Sequence, residues 1–424
     1  RLPYHKYRNQ PDVLSQFVVV PEATHACKYA TRHVDDDTAL GLLEQLIASV
    51  RVLRDDIQDQ TEDWNKRIIW LESLIAELWK SRGAYPGMSS VLEYLGIEEA
   101  IDSFRQSVLA GKENESVKEI LDFCTGRGEG IGEYLPFEEE RKKALRNIKL
   151  NIGSDLVLLL GTLSRFSLST DQLRKIVADN RAENGIVARL DDLKKNPYLL
   201  TEQYRGNDPD DTIPWSLVDR GVIPSPELGV KALFDNNAEE RVRALLVDQL
   251  QRNIQQTFVK ADVLLSQINH RLMALPEWKR IAINERYIEA DQEYLEGALH
   301  LHKENDQWFL YDRRIWNDER LVEKVLSDLL IASDISLSRP LQDAFWQQAL
   351  YSETSPLAAK VKANYQRAID GQIEACSQII TKRLAVLTGG AGTGKSTVIR
   401  AIIKAIKKVQ GENSQVAVLA PTGK

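Results

Sequence analysis

From Leu42 to Ser81 the chain contains neither Gly nor Pro, and Leu43, Val50, Ile57, Trp64, Leu71 and Leu78 recur at seven-residue intervals. Leu46, Leu53 and Leu74 widen that seam, so the period predicts a long helix or a helical hairpin whose apolar stripe packs on itself. Gln60 and Arg67 interrupt the stripe, which places a break within "RDDIQDQTEDWNK". Ahead of it, "SQFVVV" (15–20) reads as an extended run, and "HVDDD" leads into a helix N-terminus. Beyond the turn cluster of Gly83, Pro86 and Gly87, helices resume at "SVLEYLGIEEAIDSFRQSVLAG" and "SVKEILDF". "TGRGEGIGEYLP" (125–136) is a loop: Gly126, Gly128 and Gly130 lack a preceding strand and the rest of a dinucleotide fingerprint.

"DLVLLLGTLSRFSLSTDQLRKIVADN" predicts helix, short turn, helix, with Ser169 or Thr170 as N-cap before Asp171 and Gln172. Pro209, Pro214, Pro224 and Pro226 forbid long helices in the polar connection that follows, and a joint is expected near Gly229. From Ala238 the pattern is helical, broken at "QTFVKAD", and "GALHLHKENDQWFLYDRRIWNDERLVEKVLSDLL" reads as a strand pair followed by a helix. Helices followed by a small hairpin suggest a winged-helix-like unit. Residues 359–424 switch to helix, strand, loop, helix, strand, the start of an α/β sheet. The expected organisation is a helical domain over 1–150, a helical region over 151–235, a winged-helix-like linking region over 236–350, and the beginning of an α/β lobe over 351–424.

Charge narrows the partners. Lys plus Arg total 55 against 62 Asp plus Glu, a formal net charge of −7, so any nucleic-acid contact must be local rather than a global polycationic coat. No apolar run approaches membrane-spanning length. The three cysteines are far apart, Arg1 opens the chain without a signal-peptide pattern, and a reducing cytoplasm is the expected compartment.

The chemistry concentrates in "RLAVLTGGAGTGKSTVIRAI". Gly389-Gly390-Ala391-Gly392-Thr393-Gly394-Lys395-Ser396 satisfies G-x-x-x-x-G-K-[ST], entered by an apolar run and followed by Val398, Ile399, Ile402, Ile403 and Ile406 at helical spacing. Small residues let successive backbone N–H groups turn inward on phosphate oxygens, the helix N-terminus adds partial positive charge, and Lys395 adds a full one. Ser396 is the expected Mg²⁺ ligand through the nucleotide, with Thr397 completing the binding set. ATP and Mg²⁺ are therefore the expected cofactors.

Two neighbours extend the site. Thr422 lies 27 positions beyond Lys395, room for a crossover helix and the apolar run "SQVAVLA", so Pro421, Thr422, Gly423 and Lys424 would sit at the carboxyl edge of a parallel sheet, placed to hold a nucleic-acid phosphate. Upstream, Gln372 can offer a donor and an acceptor to an adenine edge.

"QIEACSQIITKRLAVLTGGAGTGKST" followed by "VAVLAPTGK" resembles the adenine-reading motif, motif I and motif Ia of RecD-like superfamily 1B DNA helicases. "GTLSRFSLSTDQLRKIV" and the Asn196-Pro197-Tyr198-Leu199-Leu200 element are similar to the helical region that precedes the motor in that family, whereas "RGNDPDDTIPW" stands where its Gly-Ile-Gly hairpin usually lies. The resemblance implies a mostly α N-terminal region followed by the start of a RecA-like P-loop α/β motor domain, and an ATP-dependent helicase or translocase moving 5′ to 3′ on single-stranded DNA. The family's Walker B acids, arginine finger and second lobe are expected beyond Lys424, so the 424 residues alone should bind nucleotide feebly and hydrolyse it slowly. The alternative is a nucleotide-switched binding module whose N-terminal helices dock a protein partner or DNA.

Other constellations read as structural. His25, Cys27 and His33 lack a fourth zinc ligand nearby; His300 and His302 alternate in a strand; most of the eight Trp residues should be core anchors; Lys404, Lys407 and Lys408 form a solvated helix face.

Overall fold

The computed structural model describes residues 2–19, 34–128, 131–208, 211–253, 256–353, 358, 361–390 and 392–420. Contacts divide the chain into two compact units, Arg1–Trp316 and Asn317–Lys424. The described residues are mostly helical with one small sheet, and no helix among them is long and apolar enough to cross a membrane.

A short helix, α1 (Pro11–Ser15), precedes the hairpin made by α2 (Asp36–Asp55) and α3 (Trp64–Arg82). "SQFVVV" is not a strand within the described residues: Ser15 ends α1, and Phe17 is fully buried against Tyr7, which anchors the segment to the hairpin without a ladder. The break in the heptad stripe lies around Gln60, between Asp55 and Trp64, whereas Arg67 falls inside α3. Asp35 caps α2 by accepting from the Thr38 N–H at 2.9 Å, and Asp63 caps α3 by accepting from the Lys66 N–H at 3.2 Å. Between them buried Asp59 ties down the turn, accepting from the Tyr7 hydroxyl at 2.6 Å and pairing with Lys6. The buried seam of α3 is Trp64, Ile68, Leu71, Ile75 and Trp79, so Trp79 rather than Leu78 takes the last central place. A helix of 3.6 residues per turn drifts off a strict seven-residue repeat, and the seam follows the helix.

The larger core of this unit draws on α4 (Met88–Leu95), α5 (Ala100–Leu109), α6 (Glu113–Cys124), α7 (Glu138–Asn151), α8 (Ser154–Leu163) and α9 (Thr170–Val177). Ser169 and Gln172 close a reciprocal capping box at α9, both bonds at 3.1 Å. Next come α10 (Leu190–Lys195), α11 (Leu199–Gln203), α12 (Trp215–Val222) and α13 (Glu239–Arg252). The Asn196-Pro197-Tyr198 turn is a packing anchor: Tyr198 is fully buried and donates its hydroxyl to Asp219 at 2.6 Å. Asp219 also accepts from Arg241 Nε at 2.8 Å and pairs with Lys279 Nζ at 3.0 Å, while Glu202 takes Arg243 at 2.9 and 3.0 Å. Arg82 with Asp37, at 2.8 Å, ties α3 to α2 within the hairpin, and Arg220 with Glu44, also at 2.8 Å, fastens the hairpin to this body through a buried ion pair.

The break at "QTFVKAD" contains a strand, β1 (Phe258–Lys260), followed by α14 (Ala261–Ala274), α15 (Glu285–Ala290), α16 (Gln292–Leu295), β2 (Leu299–Glu304) and β3 (Gln307–Asp312). The sheet order is β1-β3-β2, antiparallel throughout. Asn305 and Asp306, with φ of 49° and 60°, form the two-residue turn that right-twisted hairpins favour. His300 stacks on Trp316 at 3.8 Å, a packing role, and Trp215, Trp308 and Trp346 are buried.

Helix α17 (Arg313–Ile331) carries the chain into the second unit, whose core is built by α18 (Asp343–Leu350), α19 (Lys362–Ile379) and α20 (Lys395–Gln410). The strands expected at "RLAVLT" and "SQVAVLA" do not form: within the described residues both runs lack a paired neighbour. Val386, Val418 and Leu419 stand exposed, the state of a β-prone run with no adjacent strand to complete its ladder. The expected start of an α/β sheet is thus present as its helices and connecting segments only.

Candidate nucleotide site

Helix α20 starts at Lys395 because Gly394, with φ of 85°, turns the chain into it, and the Gly394 carbonyl accepts from the N–H groups of Thr397 and Val398 at 2.9 and 3.0 Å. Its inner face, Val398, Ala401, Ile402 and Ala405, packs on Trp346 and Leu350 of α18 and on Ile369 and Cys376 of α19. That packing fixes the direction of the helix N-terminus. Burial pushes the Cys376 thiol up to about 11, so it serves as a small apolar wedge rather than a nucleophile.

The loop before the helix folds on itself. Thr393 Oγ1 donates to the Gly390 carbonyl at 2.9 Å, and Lys395 Nζ donates to the carbonyls of Gly389 and Gly390, each at 2.7 Å. Gln372, on α19, donates its side-chain amide to the Thr393 carbonyl at 3.1 Å. The sequence-predicted Gln372 is therefore brought onto the loop from 21 residues away. Among the described residues, the N–H groups of Gly392, Thr393, Gly394 and Ser396 have no acceptor. Ser396 is exposed beside them. These unclaimed N–H groups at a helix N-terminus, an ammonium and a free hydroxyl are the donor set that a nucleotide's phosphates and their Mg²⁺ require, and the residues fit that cofactor. Ala391, and Pro421, Thr422, Gly423 and Lys424, lie outside the described residues, as do His25, Cys27 and His33. Among the described residues no group of three or more His, Cys, Asp or Glu could hold a metal directly.

A Cβ on Gly394 would stand 2.4 Å from Gln372 Nε2 on a backbone that side chains rarely adopt. Gly394→Ala is accordingly expected to expel the Gln372 amide, to weaken nucleotide binding at least about tenfold and, through the strained backbone, to lower the melting temperature by several degrees; titration of a fluorescent ATP analogue checks the binding.

One supporting element carries no sequence signal. Residues 333–341 strap α19 to α20: Asp334 pairs with Lys382 at 2.8 Å, Arg339 donates to the Lys408 carbonyl at 2.9 Å, and Gln410 donates to the Ser336 carbonyl at 3.0 Å. Its contacts join residues 48 to 74 positions apart, so it could be found only from the fold. Lys404, Lys407 and Lys408 are exposed, as expected of a solvated face.

Residues 372–424 match the family described as "AAA domain", so this segment is similar to AAA-type P-loop ATPase domains. Over 376 residues, 84% of this chain, the sequence is 27% identical to "Uncharacterized protein MJ1519" of Methanocaldococcus jannaschii. The chain spans about 30% of the length of that relative. No solved structure matches it.

Proposed function

We propose that the protein is an ATP-dependent DNA helicase or translocase of the RecD-like type, working in the cytoplasm on single-stranded DNA with 5′ to 3′ polarity, with the site described above as its ATP-binding edge. The observation that carries this reading is the joint placement of Lys395, the unclaimed loop N–H groups and Gln372 around one loop. In the proposal Gly389, Gly390, Ala391, Gly392, Thr393 and Gly394 cradle the phosphates, and Lys395 leaves two carbonyls for the β and γ oxygens. Ser396 holds Mg²⁺, Thr397 supports it, and Gln372 reads the adenine edge. When bound, ATP with its Mg²⁺ supplies the phosphoryl transfer that drives motion. Pro421, Thr422, Gly423 and Lys424 grip a strand phosphate.

The test uses the full-length protein and duplexes carrying a single-stranded tail on either end. The expected result is ATP-dependent separation of 5′-tailed duplexes only. Separation of 3′-tailed duplexes would overturn the polarity, and ATP binding with no translocation on any tail would favour the nucleotide-switched binding module.

A further inference from the structure

Within the first unit, a cleft of about 320 Å³ opens between the α2–α3 hairpin and the turn that ends α14. Its floor is apolar, with Ile47 on α2, Ile75 and Ala76 on α3, and Leu275 opposite. Two indoles bound it: Trp79, 3% exposed, and Trp278, 38% exposed at the mouth.

The charges around this floor do not balance. Glu44 is taken by Arg220 at 2.8 Å, and Arg51, the basic residue of the lining, is shared with Glu72 at 3.5 Å. Glu227 and Glu277 also line the cleft, are exposed, and form no ion pair among the described residues. An apolar slot with indole walls and two uncompensated carboxylates favours a long aliphatic side chain ending in a cation: the stem gains contact with the floor and the charge meets the carboxylates and the indole faces.

A free polyamine carries a second ammonium that the apolar floor does not match, whereas a Lys or Arg side chain carries one cation at the end of an aliphatic stem.

We propose that this cleft captures a Lys or Arg side chain of a partner polypeptide, making the N-terminal hairpin a docking site for a basic segment. The proposal stands apart from the nucleotide site, since it uses none of that site's residues.

The probe is a fluorescein-labelled pentapeptide with a central Arg, titrated by anisotropy against the full chain, beside the same peptide with citrulline in place of the Arg. The Arg peptide is expected to bind, and citrulline to weaken it about tenfold. The double variant Glu227→Lys/Glu277→Lys should weaken the Arg peptide by about tenfold or more, with melting temperature and ATP affinity unchanged, because both side chains are exposed. Trp278→Ala should weaken both peptides. No binding up to millimolar Arg peptide, equal binding of the citrulline peptide, or full affinity in the charge-reversed variant would each overturn the proposal. Spermidine that binds more tightly than the Arg peptide would replace the polypeptide with a small polyamine.

Discussion

Asp219→Ala is expected to lower the unfolding free energy by about 3–5 kcal/mol, the range found when one partner of a buried ion pair is removed. The carboxylate sits almost wholly inside the first unit and is shared by three side chains: Tyr198 at 2.6 Å, Arg241 at 2.8 Å and Lys279 at 3.0 Å. Deleting it strands a buried guanidinium and a buried ammonium, and those uncompensated charges dominate the cost rather than the lost hydrogen bonds. Since domains are stable by only about 5–15 kcal/mol, the variant should unfold at much lower urea, with a midpoint readable by circular dichroism. A midpoint within error of the wild type would show that Asp219 is not the hub described.

The same carboxylate fixes a pH dependence. Burial alone would push the Asp219 carboxyl up, but Arg241 and Lys279 beside it, with hydrogen bonds from Arg241 and Tyr198, hold it well below the usual carboxylate range. As pH drops below about 4, the unfolded chain takes up this proton before the folded one does, so stability falls with acid, and Asp219→Ala should flatten that part of the curve.

In the full-length protein, Lys395→Ala is expected to reduce ATP turnover by about 10²–10³-fold, the usual loss when one preorganised charge on the transferring group is removed. Among the described residues its ammonium donates to the carbonyls of Gly389 and Gly390 alone, and its stem lies outside the buried core, so folding should be unaffected. Phosphate release measured beside the thermal melting curve separates loss of chemistry from loss of structure. Turnover within about threefold of wild type would remove Lys395 from the catalytic role assigned to it.

Legibility follows the range of the interaction. The loop from Gly389 to Ser396 is local chemistry, complete within eight residues, and the order of its residues is enough to recognise it. The same holds for the capping box of Ser169 and Gln172, which spans one helical turn. Periodicity places the hairpin, but not the substitution of Trp79 for Leu78 at its end, because the drift accumulates only along a real helix. The pairing of Arg220 with Glu44 joins residues 176 positions apart, and no pattern along the chain announces it. Strands escape for a related reason. "RLAVLT" and "SQVAVLA" have the composition of strands, yet a strand is defined by its neighbour, and neither run has one among the described residues. β1 leaves no mark in the pattern because three residues with a single buried side chain, Val259, are too short to show a period.

A loop built to hold a nucleotide by its phosphates is the centre of the proposed function. Calorimetric titration of AMP, ADP and ATP, each with Mg²⁺, tests that directly. Affinity should climb with each added phosphate, and Lys395→Ala should flatten the climb. Equal affinity for the three nucleotides, or no binding by the wild-type protein, would contradict it.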